Sequence, residues 1–269
     1  MSGLLALYQI DYYRPWLLFI VVQVAALAVF AFGVWEKLHI LRQSGRGALY
    51  RKFRPGPVFR VFWREVVAQL QLKERGLLRW VMHLLIFYGF LGLALISALI
   101  EGIKLLHAES GANRYLVDFW GDFFGWLLLV GLVIALYRRV VRHEEQLFSI
   151  AADGWALGLL LTLVVTGFGL EALRFSLLPQ AETNWFSFIG YPLSLGLRWG
   201  GATKAWLSVL WTLHGFLGGV FLAYIPYSKF THIVASPVEV LVNASEEAWR
   251  SDLYGERKRG RQANPTSSL

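Results

Sequence analysis

The sequence predicts an all-α membrane protein, a bundle of five transmembrane helices with its N-terminus outside and its C-terminus cytoplasmic. Three observations lead there. Of 269 residues, 56% are hydrophobic and 16% charged, and the mean hydropathy is +0.49, whereas soluble domains are roughly half apolar and a quarter charged. The apolar residues fall into five runs, each near the ~20 residues a helix needs to cross a bilayer core. Finally, Lys and Arg divide unevenly between the segments that join those runs.

The first span is predicted at about 16–35, through FIVVQVAALAVFAFGV, with aromatic anchors at both ends. It is too long for a secretory signal, lacks a basic leader and carries no small-residue cleavage site. The second span is predicted at about 77–100, the third at 119–137, the fourth at 150–170 and the fifth at 206–225. Between the first two, VFRVFWREVVAQLQL (58–72) sets Val58, Phe62, Val66 and Leu70 at helical spacing among Arg60, Arg64 and Lys73. That pattern suits a short amphipathic helix lying in the inner interface. The membrane domain is expected over 1–242, followed by a polar, basic cytoplasmic tail over 243–269.

Orientation comes from counting cations. The segment 36–79 holds eleven Lys and Arg, the loop after the third span adds Arg138, Arg139 and Arg142, and the chain from Tyr227 onward adds six. The opposite side has Arg14, Lys104, Arg114, Arg174, Arg198 and Lys204. Twenty against six places the N-terminus outside, and an odd number of spans agrees. The net charge of +8 thus belongs to the membrane surface rather than to nucleic acid. With no cysteine in the chain, disulfides, thiolate zinc sites and an iron–sulfur cluster held by this chain alone are excluded.

Polar groups inside a bilayer are costly and mark function, which directs attention to the six histidines. His83 sits near the cytoplasmic start of span two, His214 two turns into span five, and His232 at the inner end of the same element; His39, His107 and His143 lie in or beside loops. Eighteen residues separate His214 from His232, so an unbroken helix would carry both on one face, about 27 Å apart. That matches two haems stacked across a bilayer, each taking an axial imidazole. Gly89 and Gly92 after His83, and Gly215, Gly218 and Gly219 after His214, clear room for a flat macrocycle or, equally, for a closely packed helix. A lone membrane histidine can also simply hydrogen-bond a neighbour, and Pro226 can bend the fifth span.

The stretch LHGFLGGVFLAYIPYSKFTHIVASPVEVL resembles the last helix of the respiratory nitrate reductase gamma subunit family of b-type cytochromes. His214, Pro226, Tyr227, Ser228, Lys229, His232, Ser236, Pro237, Val238 and Glu239 match that pattern, and the five-span layout extends the likeness over most of the chain. The resemblance implies an inner haem b held by His83 and His232, with iron as the metal and His214 as a further ligand. In the family a second histidine follows the first by ten residues; here that position is Leu93, and His107 lies too far on to replace it. The resemblance therefore leaves His214 with a five-coordinate haem, another partner, or none. This departure, together with the RWVMHLLIFYGFLGL of span two and the long basic segment before it, is more similar to a sister group: the cytochrome b subunits of heterodisulfide-reductase-like and sulfite-reductase-associated complexes.

The function so implied is electron transfer, in the cytoplasmic membrane, between the quinone pool and a cytoplasmic iron–sulfur partner, with the basic segment 42–79 as docking surface or as a contact for anionic lipid. Such a subunit is not catalytic alone. Lys104, Arg114 and Asp118, between spans two and three, are the candidates for a quinone site, with interfacial anchoring as the plainer role; Glu171 and Arg174 form an ordinary i, i+3 pair. Alternatives are the cytochrome b anchor of a nickel–iron hydrogenase or formate dehydrogenase, separated by the identity of the soluble partner, and an anchor with no cofactor, separated by colour. A transporter would need paired broken helices or intramembrane charge.

Overall fold

A computed structural model describes residues 16–44, 55–105, 111–141, 151–177, 185–199, 204–233 and 235–244, so the tail beyond 244 lies outside the described residues. Among these there is no strand. In chain order the helices are α1 (Trp16–Ser44), α2 (Pro55–Val61), a π-helical stretch (Phe62–Val67), α3 (Leu70–Glu74), α4 (Leu77–Leu105), α5 (Gly111–Val140), α6 (Ala151–Ser176), α7 (Gly190–Trp199) and α8 (Lys204–Tyr224). Two 3-10 turns, Ile225–Tyr227 and Lys229–Thr231, follow α8, and 235–244 is again helical (α9).

Five helices have the length and composition to cross a membrane: Leu18–Ile40, Leu77–Ile100, Tyr115–Val140, Gly154–Ser176 and Lys204–Tyr227. The chain is a multi-pass membrane protein. Leu18, Ile20, Val21, Val24 and Leu27 of α1, and Trp206, Val209, Leu213 and Phe216 of α8, are exposed, a surface that lipid tails rather than water would cover.

The chain divides into two compact units, one formed by Met1–Ala28 with Leu78–Ala223, the other by Val29–Leu77 with Tyr224–Leu269. In the first, glycines set the helix spacing. A β-carbon on Gly89 of α4 would stand 2.5 Å from the Leu128 amide nitrogen of α5, and one on Gly131 of α5 would stand 2.9 Å from that of Ile86. The Phe124 ring occupies the space beside Gly92. On α8, Gly215 receives the Phe19 ring and Gly219 receives Val22. Of the five glycines flanking the histidines, only Gly218 faces open space. Close helix packing, rather than clearance for a macrocycle, accounts for the other four. Gly89→Ala is accordingly expected to destabilise the detergent-solubilised protein by about 1–3 kcal/mol, the cost of overpacking, seen as a lower unfolding temperature. Gly154→Ala, where nothing lies within 4 Å, should change it little.

One end of the first unit is closed by residues 185–199. Asp122 of α5 is fully buried, and its Oδ2 accepts hydrogen bonds from the Ser187 hydroxyl (3.1 Å), the Ile189 amide (2.7 Å) and the Gly190 amide (3.3 Å). A carboxylate at these free amides caps the start of α7 from another helix. Tyr191 then packs edge-on against Phe175 of α6, with ring centroids 6.2 Å apart, and the Arg198 guanidinium donates to the Phe175 carbonyl at 3.2 Å.

In the second unit, residues 58–72 are helical in pieces. Val61 ends α2, the π-helical stretch runs to Val67, and Gln69 adopts a left-handed conformation (φ 51°) before α3 begins. Phe59, Trp63, Arg60 and Arg64 are exposed, and Val58 is buried. The chain after α8 does not continue as one helix. Pro226 stands in a 3-10 turn, Ser228 is extended (φ −120°, ψ −179°), and a second 3-10 turn leads to His232. Pro226 brings no amide hydrogen, and the Thr231 hydroxyl bonds the carbonyls freed by the break, Ile225 at 3.2 Å and Pro226 at 2.7 Å. The single face expected for His214 and His232 is therefore lost.

Candidate functional site

Helices α4, α5, α6 and α8 of the first unit line a half-open cavity of about 510 Å³, within the roughly 300–1,000 Å³ of ligand pockets. Its wall is mainly apolar, including Phe90, Leu93, Leu128, Leu163, Phe168 and Trp211. The polar exceptions include His214, Asp118, Glu171 and Arg174.

His214 is held in a defined way. Its Nδ1 lies 2.8 Å from the Thr166 hydroxyl, which in turn lies 2.7 Å from the Thr162 carbonyl. A hydroxyl has one hydrogen to give and a carbonyl can only accept. Thr166 therefore donates back along its own helix and accepts Nδ1–H from the imidazole. The assignment leaves Nε2 with the lone pair, the form in which a histidine ligates a metal. On the other side of α8, the Gln23 amide donates to the Gly215 carbonyl at 2.7 Å.

Among the quinone-site candidates, Asp118 lines this cavity as part of an ion pair. The Arg174 guanidinium donates to Asp118 Oδ1 at 2.6 Å and lies 3.7 Å from Glu171 Oε1. The Glu171–Arg174 pairing expected from spacing is thus present, but the shorter contact is to Asp118. Lys104 lies on α4 and Arg114 on α5, with side chains outside the described residues. His83 is half-buried on α4 of the first unit. His232, in the second unit, is exposed and pairs its Nδ1 with the Lys229 carbonyl. His39 stacks on Trp35, ring centroids 5.4 Å apart, and meets the Gln43 amide at 2.7 Å. His107 and His143 fall outside the described residues.

Sequence reasoning missed Thr166 and Asp122. Asp122 carried a usable signal, an acid within a predicted span. Thr166 carried none, because its partner is 48 residues away.

A histidine thus stands at a cavity lined by four of the five membrane-crossing helices, and residues 69–247 match the nitrate reductase gamma subunit family; the chain belongs to that family. It is 30% identical over 199 residues to a component of the dihydromethanophenazine:CoB–CoM heterodisulfide reductase of Methanosarcina thermophila, covering 71% of this chain and 68% of that one. It is also 28% identical over 245 residues to the EtfAB:quinone oxidoreductase of Syntrophomonas wolfei, and 26% identical over 244 residues to the probable iron-sulfur-binding oxidoreductase FadF of Bacillus subtilis. These alignments take in 82% and 86% of this chain but only 32% and 33% of those longer proteins. The chain is a membrane subunit of the respiratory oxidoreductase type.

Proposed function

We propose that the chain is the haem b subunit of a respiratory complex, passing electrons between the membrane quinone pool and a cytoplasmic iron–sulfur partner. The observation that carries this reading is His214, whose Nδ1 is occupied by Thr166 at 2.8 Å on the wall of an apolar cavity of about 510 Å³. Those residues suit a haem: one oriented imidazole, an apolar surround, and glycines at positions 121 and 167 of the wall. Haem iron, when bound, supplies one-electron transfer. Leu93 lines the same cavity and has no donor atom, so His214 would be the imidazole this cavity offers an iron, and a high-spin signal is expected from it. By the family pattern, His83 and His232 are each proposed as ligands of an inner haem.

The named activities of the relatives support a quinone-type carrier and an iron–sulfur partner. The longer relatives carry the matched segment beside further chain, which supports a partner that supplies the rest. The exposed Arg60, Arg64, Lys73 and Arg75 offer that partner a basic surface. By the cation count, this surface faces the cytoplasm.

A reduced-minus-oxidised spectrum of the purified full-length protein, with haem content per chain and electron paramagnetic resonance, tests the reading. A sharp alpha band with both low-spin and high-spin signals is expected; a colourless pure protein overturns it. Thr166→Val removes the Nδ1 partner and should weaken retention of the high-spin haem by about 10–100-fold, the usual cost of losing such an outer hydrogen bond. Thr166→Ser should restore it.

A further inference from the structure

Three acids and one base meet at one end of the cavity. Asp118 and Asp122 lie one turn apart on α5, and Glu171 and Arg174 one turn apart on α6. Arg174 bridges Asp118 and Glu171 at 2.6 and 3.7 Å. Asp122, with no exposed surface, directs one oxygen to Ser187, Ile189 and Gly190, while its Oδ1 has no hydrogen-bond partner among the described residues. Beside it is Glu171, whose side chain is pressed onto Gly190: a β-carbon there would stand 2.8 Å from Glu171 Oε2. The charged groups facing Glu171 are Arg174 on its own helix and Asp118 and Asp122 on α5. One guanidinium cannot balance three carboxylates, and uncompensated charge is costly in a membrane interior. A buried acceptor with nothing to accept, beside a second carboxyl group, is where an exchangeable proton satisfies both.

Glu171 is also placed to exchange that proton with a bound molecule. It lines the cavity and stands five residues, about 7.5 Å of helix rise, from Thr166, the residue that holds His214. We propose that Glu171, backed by Asp122, is the proton-exchange group of this cavity, taking up the protons of a hydroquinone oxidised there. The proposal rests on the redox reading above. Oxidation breaks two O–H bonds of the hydroquinone and yields the quinone. Its two electrons go singly to ferric haem b as the acceptor. For each O–H bond broken, the proton already shared by Glu171 and Asp122 leaves to water, and the hydroquinone proton takes its place as an O–H bond on Glu171. Arg174 fixes Glu171 and Asp118 in place and takes no proton.

The test uses the full-length, haem-loaded protein and menadiol as the hydroquinone. In Glu171→Gln, haem content and spectrum should stay at the wild-type level, while haem reduction by menadiol slows by about 100-fold or more, the usual contribution of a positioned base. Its pH dependence should flatten, and Glu171→Asp should recover part of the rate. In redox-induced infrared difference spectra, a protonated-carboxyl band should be present in the wild type, vanish in Glu171→Gln and shift in Asp122→Asn. A Glu171→Gln protein reduced at the wild-type rate with an unchanged pH profile overturns the proposal and leaves the cofactor reading standing. Should that variant fail to fold, the absence of the carboxyl band from the wild type overturns it equally. A colourless wild type overturns both.

Discussion

His83→Ala and His232→Ala should each abolish the low-spin haem spectrum of the purified protein, while His39→Ala should leave it unchanged. Under the proposed ligation, removing either imidazole would take away a bond to iron itself, so the loss should exceed the about 10–100-fold that disturbing an outer hydrogen bond costs. The fold should survive both changes. His232 is exposed and sits on a turn after α8, where its ring meets the Lys229 carbonyl of the same turn. His83 is half-buried on a 29-residue helix whose close packing against α5 rests on Gly89, Gly92 and Gly131. His39 is the control, because its ring is engaged by Trp35 and Gln43. Retention of the low-spin spectrum in His83→Ala or His232→Ala would remove that residue from the ligand set.

Arg174→Ala should produce the largest loss of stability, about 3–5 kcal/mol, the usual cost of stripping one partner from a buried ion pair. It leaves the Asp118 side chain, 2% exposed, with its negative charge and without its guanidinium. Thermal unfolding in detergent measures the loss, and the Asp118→Asn/Arg174→Ala double variant should recover a large part of it. Arg174→Lys should recover little, because a point charge does not reproduce a planar fork that reaches two acids. An unchanged unfolding temperature in Arg174→Ala would show that the pair contributes no stability.

These charges also mark where the sequence misleads. The fourth span is expected to stop at about residue 170, because Glu171 and Arg174 read as the end of an apolar run. The helix instead continues to Ser176, since Arg174 finds Asp118 on α5 and Glu171 shares the same guanidinium. For the same reason the third span begins at Tyr115 rather than near 119. Hydropathy registers the cost of a charge but not the partner that offsets it. The five spans themselves were legible, because bilayer thickness fixes their length and apolar composition. Helix α7 was not, since its start is capped by Asp122, 68 residues away from Gly190. The shared face of His214 and His232 holds for an ideal helix, but Pro226 and Ser228 interrupt the real one.

Helix α1 precedes the stretch that matches the family, which starts at residue 69, yet it is bound into the matched part. Phe19 and Val22 fill the hollows at Gly215 and Gly219, and Gln23 engages the Gly215 carbonyl next to His214. A lipid chain in its place would offer no amide to that carbonyl and no ring to the hollow. The residue beside the candidate iron ligand would then be left open to the bilayer, so α1 covers that stretch of α8 as well as crossing the membrane.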